Sequence, residues 1–187
     1  MRKILGLLAL MMGLLVAVAA SSAHFAYFEA ERNVHIEVVP DDNELIDLTP
    51  IQPYAYITKN GMLVIELSKN NAEWKRLVKE GFDPGEGVSP NSTYVFEEVF
   101  GVSNDLWEQT PICMHIVYSG NGGIKFFVDE YIPGVTEGVT DLYVTIMPGE
   151  VVKIGMIIDS TGLEAGDSIE GQLNFYAVAG ECEGGPQ

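Results

Sequence analysis

Residues 90–102, which read PNSTYVFEEVFGV, are typical of a β-strand entered from a turn. Pro, Asn and Ser favour the turn, and the Tyr, Val and Phe residues that follow favour extended backbone. A second segment at residues 148–158, PGEVVKIGMII, has the same arrangement. Polar residues, Asn104 and Asp159, mark the ends of the two strands. The two segments therefore predict strands of a β-rich fold.

Alternating apolar and polar residues predict further strands at 33–39, 54–58, 62–67, 112–118, 124–128, 141–147 and 168–178. Asn60-Gly61 predicts a type I′ hairpin turn. Only one segment looks helical: Asn70 or Asn71 can cap it and Gly81 can end it. We therefore predict an all-β sandwich of the jelly-roll or Greek-key kind, with about nine strands and one short helix.

The N-terminus has the parts of a signal peptide. Arg2 and Lys3 precede an uncharged apolar run from Ile4 to Ala20, and Ser21 and Ala23 are the small residues that signal peptidase requires. We predict a signal peptide at 1–23 and a single β-sandwich domain at 24–187, with a flexible tail from about residue 180. The protein is then secreted or at the cell surface. An uncleaved signal would tether it, since its apolar run is near the lower limit for a membrane span.

The charge limits the possible partners. The whole chain carries −17, and loss of Arg2 and Lys3 with the signal makes this −19. Such a chain repels nucleic acid and anionic membranes at long range. The acidic runs lack the spacing of a calcium-binding loop, so we interpret the charge as a solubility feature.

Cys113 and Cys182 are the only cysteines. In an exported protein they predict one disulfide between a mid-chain strand and the tail. The alternative is two unpaired thiols, with Cys113 buried in the sheet.

Chemical motifs are few. His24 would be the first residue after cleavage, where its amine and imidazole together suit a copper ion, as in copper-dependent polysaccharide oxidases. His35 and His115 lie in predicted strands, and no serine lies in a nucleophile elbow. We therefore expect no enzyme activity and no cofactor. Asn91 begins a glycosylation sequon, Asn91-Ser92-Thr93.

The segments ERNVHIEVVPDDNELIDLTP (31–50), PYAYITKNGMLVIEL (53–67) and GVSPNSTYVFEEVFGVSND (87–105) resemble a family of exported archaeal proteins of unknown function. A more distant resemblance joins AHFAYFEAE (23–31), PGEVVKIGMIIDS (148–160) and GDSIEGQLNFYAVA (166–179) to the TasA and camelysin group and to archaeal bundling pilins. Those are jelly-roll proteins of biofilm matrices and surface filaments.

The second resemblance implies a mechanism of assembly, in which an N-terminal segment completes the sheet of the next subunit. Here that segment is Phe25, Ala26, Tyr27 and Phe28, an apolar strand-forming sequence. It implies a structural subunit that forms a head-to-tail homopolymer. Two alternatives stay open: the segment pairs within its own subunit, or the protein is a monomeric surface binding module.

Overall fold

The computed structural model describes Gly6, Met11 and residues 45–183. The chain divides into two compact units, residues 1–37 and 38–187. In the first unit only Gly6 and Met11 are described, and both are helical and exposed. All named strands and the named helix lie in the second unit. The signal peptide at 1–23 and the strand predicted at 33–39 fall outside the described residues.

The described part of the second unit contains nine strands and one helix. In chain order these are β1 (Leu48–Pro50), β2 (Ala55–Ile57), β3 (Leu63–Ile65), α1 (Ala72–Lys79), β4 (Thr93–Ser103), β5 (Ile112–Gly120), β6 (Gly123–Val128), β7 (Asp141–Ile146), β8 (Val151–Asp159) and β9 (Gly171–Ala179). The all-β fold with about nine strands and one short helix is confirmed.

Two antiparallel sheets form the sandwich. The first sheet has the order β1-β4-β8-β6, the second has the order β7-β5-β9, and β2 and β3 form a separate hairpin. From β4 to β9 every consecutive strand lies in the other sheet. Connections that cross between sheets are typical of Greek-key and jelly-roll sandwiches.

The core lies between the two sheets. Phe100 and Met156 from the first sheet are almost completely buried, as are Met114 and Ile116 from the second. Phe100 also contacts Phe175 of β9 edge-to-face, with ring centroids 5.9 Å apart. Edge-to-face pairs place the positive ring edge on the negative ring face, which adds to the gain from burial.

Part of the outer face of the first sheet is buried as well. Five consecutive residues of β8, from Ile154 to Ile158, are all buried. The segment after β6 covers this face: the Tyr131 ring lies 5.7 Å from the Phe127 ring, and a Cβ on Gly138 would approach Ile157 closely. A strand buried on both faces gives a continuous apolar run in sequence, as β8 does.

A bulge interrupts β4. Phe96 pairs with Met156 and Phe100 with Ile154, so three residues of β4 lie opposite Gly155 alone. Glu98 in the bulge adopts a positive φ of 51°. Two residues are extra, an even number, so Phe96 and Phe100 stay on the same face of the sheet.

The helix follows its capping signals. The Asn71 side chain is the N-cap and accepts a hydrogen bond from Glu73 N at 2.7 Å. The Asn71 amide also donates to the carbonyl oxygens of Pro53 and Glu66, which joins α1 to the hairpin. Gly81 follows the helix with a φ of 88°, in the left-handed region that glycine adopts easily.

The predicted type I′ turn in the hairpin is wrong. Gly61 N donates to Thr58 O, so Lys59 and Asn60 are the central residues of the turn. Only Gly61 has a positive φ in this turn, whereas type I′ needs positive φ at both central residues. Gly61, whose backbone is left-handed, therefore follows the two central residues of the turn, as in three-residue hairpin loops.

Gly155→Ala tests the packing behind the bulge. A Cβ at Gly155 would overlap the ring of Phe127, which is itself buried. We expect a loss of about 1–3 kcal/mol in the free energy of unfolding, measured by urea denaturation. Gly85→Ala is the control, because a Cβ there meets nothing within 4 Å. Equal stability of the two variants would contradict this account.

Candidate functional site

The residues predicted for assembly and for copper lie outside the described part of the chain. These are His24, Phe25, Ala26, Tyr27 and Phe28. His35 lies outside it too. The structure therefore describes the surface that could receive a donated strand, and not the donor itself.

Cys113 and Cys182 form a disulfide with a Cα–Cα distance of 4.8 Å. It lies on the outer face of the second sheet, where Cys113 is in the central strand β5. Two hydrogen bonds hold the same segment: Gly180 N donates to Pro111 O, and Cys182 N donates to Thr145 Oγ1. The chain after β9 is thereby fastened across the sheet as far as Cys182.

Asn91, the sequon residue, lies in an exposed turn before β4. Its φ is 49°, and its side-chain oxygen accepts a hydrogen bond from Gly162 N at 2.8 Å. The hydroxyl of the buried Ser160 lies within hydrogen-bonding distance of the carbonyl oxygens of Ser89 and Ser92 and can donate to either. This contact fixes the turn. Asn91 is thus presented at the surface in a defined conformation.

β9 is one of the two edge strands of the second sheet, and β7 is the other. Within the described residues β9 pairs with β5 alone, along its whole length of nine residues. Tyr118 of β5 fastens its beginning, since the Tyr118 hydroxyl lies within hydrogen-bonding distance of Asn121 O and Glu170 O. Burial raises the pKa of Tyr118 above its ordinary value, so the hydroxyl stays protonated and able to donate at neutral pH.

The inner face of β9 is incompletely covered. Ala177 and Ala179 lie opposite the buried residues Met114 and Ile112 in β5, and by strand alternation they point toward the core. Both alanines are nevertheless exposed. The apolar surface beside the second half of β9 is therefore open to solvent, and we call it the β9 groove.

Three aromatic rings cross the outer face of the same sheet in one row. Tyr143 of β7, His115 of β5 and Tyr176 of β9 are register partners. The His115 ring stacks on Tyr143 with centroids 4.0 Å apart and lies 5.8 Å from Tyr176. Asp141 Oδ1 lies 3.3 Å from His115 Nε2, which orients the imidazole. We call Tyr143, His115 and Tyr176 the aromatic row.

The sequence predicted the strands of the aromatic row but not the row. Each ring lies in a correctly predicted strand, and alternation already placed Cys113 and His115 on one face. Which rings become neighbours depends on the register between β5, β7 and β9, which the residues of one strand do not give. The sequence signal for the row is limited to a tyrosine at an outward position in each of β7 and β9.

An acidic cleft lies beside the bulge of β4. It is lined by the carboxylates of Glu97, Glu98, Asp129, Glu130 and Glu150 and by Lys153. Several of these carboxylates already have protein partners: Glu98 pairs with Lys153 at 2.9 Å, and Glu97 accepts from Tyr131 N. Nowhere in residues 45–183 do three His, Cys, Asp or Glu side chains converge as metal ligands. The cleft is therefore an electrostatic feature of the surface.

The helices that the structure describes include none with the length and apolar character needed to cross a membrane.

Residues 38–182 match the sequence model of a family described as protein of unknown function (DUF1102). The chain belongs to this family. The DUF1102 match covers every named strand, α1 and both cysteines. No curated protein matches the chain. The family membership thus agrees with the predicted membership of a family without a known function.

Replacing both cysteines with serine (Cys113→Ser with Cys182→Ser) tests the disulfide. The bridge spans 69 residues of sequence, and the double variant should lose about 4 kcal/mol of unfolding free energy, because its unfolded chain is no longer constrained. Urea denaturation under oxidising conditions measures the loss.

Dithiothreitol provides the matched control for this experiment. It should destabilise the wild-type chain by a similar amount and leave the double variant unchanged. A wild-type unfolding midpoint that does not respond to the reductant would contradict a disulfide in the folded protein.

Proposed function

We propose that this protein is an exported structural subunit of a cell-surface filament or biofilm matrix, which assembles head-to-tail by adding a strand at β9. The observation that carries the proposal is the outer edge of β9, which pairs with no strand among residues 45–183. An exposed edge offers a row of backbone donors and acceptors to any extended chain. Such strand addition gives affinity through backbone hydrogen bonds and register through side-chain pockets.

The described edge strands differ in how well they resist pairing. β1 has three residues and ends at Pro50, β6 contains Lys125, and β7 begins at Asp141. Short length, proline and charge are the usual protections of an edge. β9 reads GQLNFYAVA, with neither a charge nor a proline in nine residues. In a chain of net charge −17, the absence of charge on this long edge favours pairing with another chain.

The groove beside β9 supplies the apolar part of the interaction. Ala177 and Ala179 are small and exposed on the inner face, so a bulky apolar side chain can pack on them. Filling an apolar groove removes surface from water and stabilises the complex by about 25 cal/mol for each Å² buried. The segment Phe25-Ala26-Tyr27-Phe28 offers three such aromatic side chains.

The length of chain before β1 is compatible with donation to a neighbour. Sixteen residues, 29–44, separate Phe28 from Leu45. If extended, they reach about 55 Å, which exceeds the roughly 30 Å length of a nine-residue strand. A head-to-tail contact of this kind does not close on itself and propagates as a filament.

The two resemblances to known families support the same proposal. The likeness to exported archaeal proteins and to the TasA, camelysin and bundling-pilin group suggests a role outside the cytoplasm, secreted or at the cell surface. The signal-like sequence of residues 1–23 suggests the same location.

A monomeric secreted or membrane-tethered binding module is the second candidate function. The aromatic row favours it, because exposed tyrosines are typical of binding surfaces.

Ala177→Lys tests the assembly edge. A lysine that points into the groove opposes an incoming apolar strand, as inward-pointing charges do at natural edges. We expect the full-length chain to form long polymers in negative-stain micrographs, and the variant to remain monomeric in sedimentation velocity. Deletion of residues 25–29 should have the same effect.

Val135→Lys is the matched control, since Val135 is an exposed apolar residue in the segment between β6 and β7. It introduces the same charge away from β9 and should leave polymers intact. A wild-type chain that stays monomeric at high concentration would refute the structural role. Polymers of Ala177→Lys that equal those of the wild type would exclude β9 as the edge.

A further inference from the structure

We propose that the aromatic row, Tyr143, His115 and Tyr176, binds a neutral polysaccharide on the outer face of the second sheet. This function is separate from strand addition. It uses outward-pointing side chains, whereas strand addition uses the backbone edge and the inner face of β9.

The row is exposed where a ligand would need it. Tyr143 is 39% exposed and Tyr176 is 56% exposed. One face of the Tyr143 ring is covered by the stacked His115 ring, whereas the Tyr176 ring is tilted by 34° from His115, so Tyr176 offers the larger exposed surface. The inner face of the sheet supplies the contacts to the core, through Met114, Ile116 and Phe175. The outer tyrosines are therefore not needed to join the sheets.

The row is also held in place before any ligand arrives. His115 lies between the two tyrosines in the central strand, stacked on one of them and oriented by Asp141. Cross-strand pairing fixes the spacing of the rings along the sheet. Tyrosine has few rotatable bonds, so ordering it on binding costs little conformational entropy.

The chemistry of the surface matches a sugar ring. A pyranose has apolar C–H faces, which pack on the electron-rich face of an aromatic ring, and a rim of hydroxyl groups. The neighbouring row on the same face is Asp141, Val117 and Asn174. Asp141 accepts hydrogen bonds and Asn174 can donate and accept them, so polar groups lie beside the rings. Aromatic surface with a few polar groups is the usual composition of a small-molecule site.

Charge selects among the possible ligands. The chain carries −17, which repels anionic polysaccharides. Asp141 is the single Asp, Glu, Lys or Arg in the three cross-strand rows 113/145/178, 115/143/176 and 117/141/174 of this face. An uncharged polysaccharide meets no such repulsion, and its hydroxyl groups can donate to the Asp141 carboxylate.

Binding of the full-length chain to insoluble cellulose and chitin, and to soluble mannan by affinity electrophoresis, tests the proposal. We expect retention by at least one of these neutral polysaccharides and none by anionic alginate. Tyr176→Ala and Tyr143→Ala should each weaken that binding by about tenfold, as expected when a central aromatic contact is removed. Tyr176→Phe keeps the ring and should keep most of the binding.

Trp107→Ala is the matched control, because Trp107 is 88% exposed and lies in the segment between β4 and β5, outside the row. It should bind as the wild type does. Failure of the wild-type chain to bind any of the three neutral polysaccharides would overturn the proposal. So would an equal loss in Trp107→Ala and in the tyrosine variants, since binding would then not depend on the row. Ala177→Lys should keep full polysaccharide binding, which separates this site from the assembly edge.

Discussion

The contact between Phe100 and Phe175 joins the two sheets, and the functional surfaces depend on it. Phe100 is fully buried in the first sheet, and Phe175 reaches it from the edge strand β9. This contact holds β9 against the core at its middle. Beyond it, Ala177 and Ala179 are too small to continue the contact, so the groove opens. β9 is therefore held against the core at Phe175 and exposed from Tyr176 to Ala179.

The two faces of the second sheet serve different purposes in our proposals. Strand alternation sends Phe175 and Ala177 inward and Tyr176 outward. The inner face and the backbone edge suit a donated strand, while the outer face presents the aromatic row. The disulfide and the hydrogen bond from Cys182 to Thr145 lie on the outer face beside the row. They hold the C-terminal segment across β5 and limit how far the end of β9 can move.

The acidic charge and the uncharged edge are best understood together. A net charge of −17 keeps separate copies apart at long range, and β9 carries no charge of its own. An apolar donor strand gains burial at that edge without bringing two carboxylates together. The acidic cleft lies beside the bulge of the first sheet, where Glu98 pairs with Lys153, and Glu97 and Glu150 accept hydrogen bonds from backbone N–H groups. In the proposed assembly, association is thus favoured at β9 and opposed over much of the remaining surface.

The sequence by itself determined the fold class and the positions of α1 and of strands β2 to β9, but its pattern does not predict β1 (Leu48–Pro50). Alternation, turn residues and the Asn71 cap act within a few residues, so they can be read along the chain. It did not determine the buried outer face of the first sheet, the hairpin turn type or the aromatic row. The buried outer face and the aromatic row depend on residues far apart in the chain: the segment after β6 covers Phe127 and Ile157, and β5 places His115 between Tyr143 and Tyr176. Only the register of paired strands, a tertiary property, decides which side chains meet.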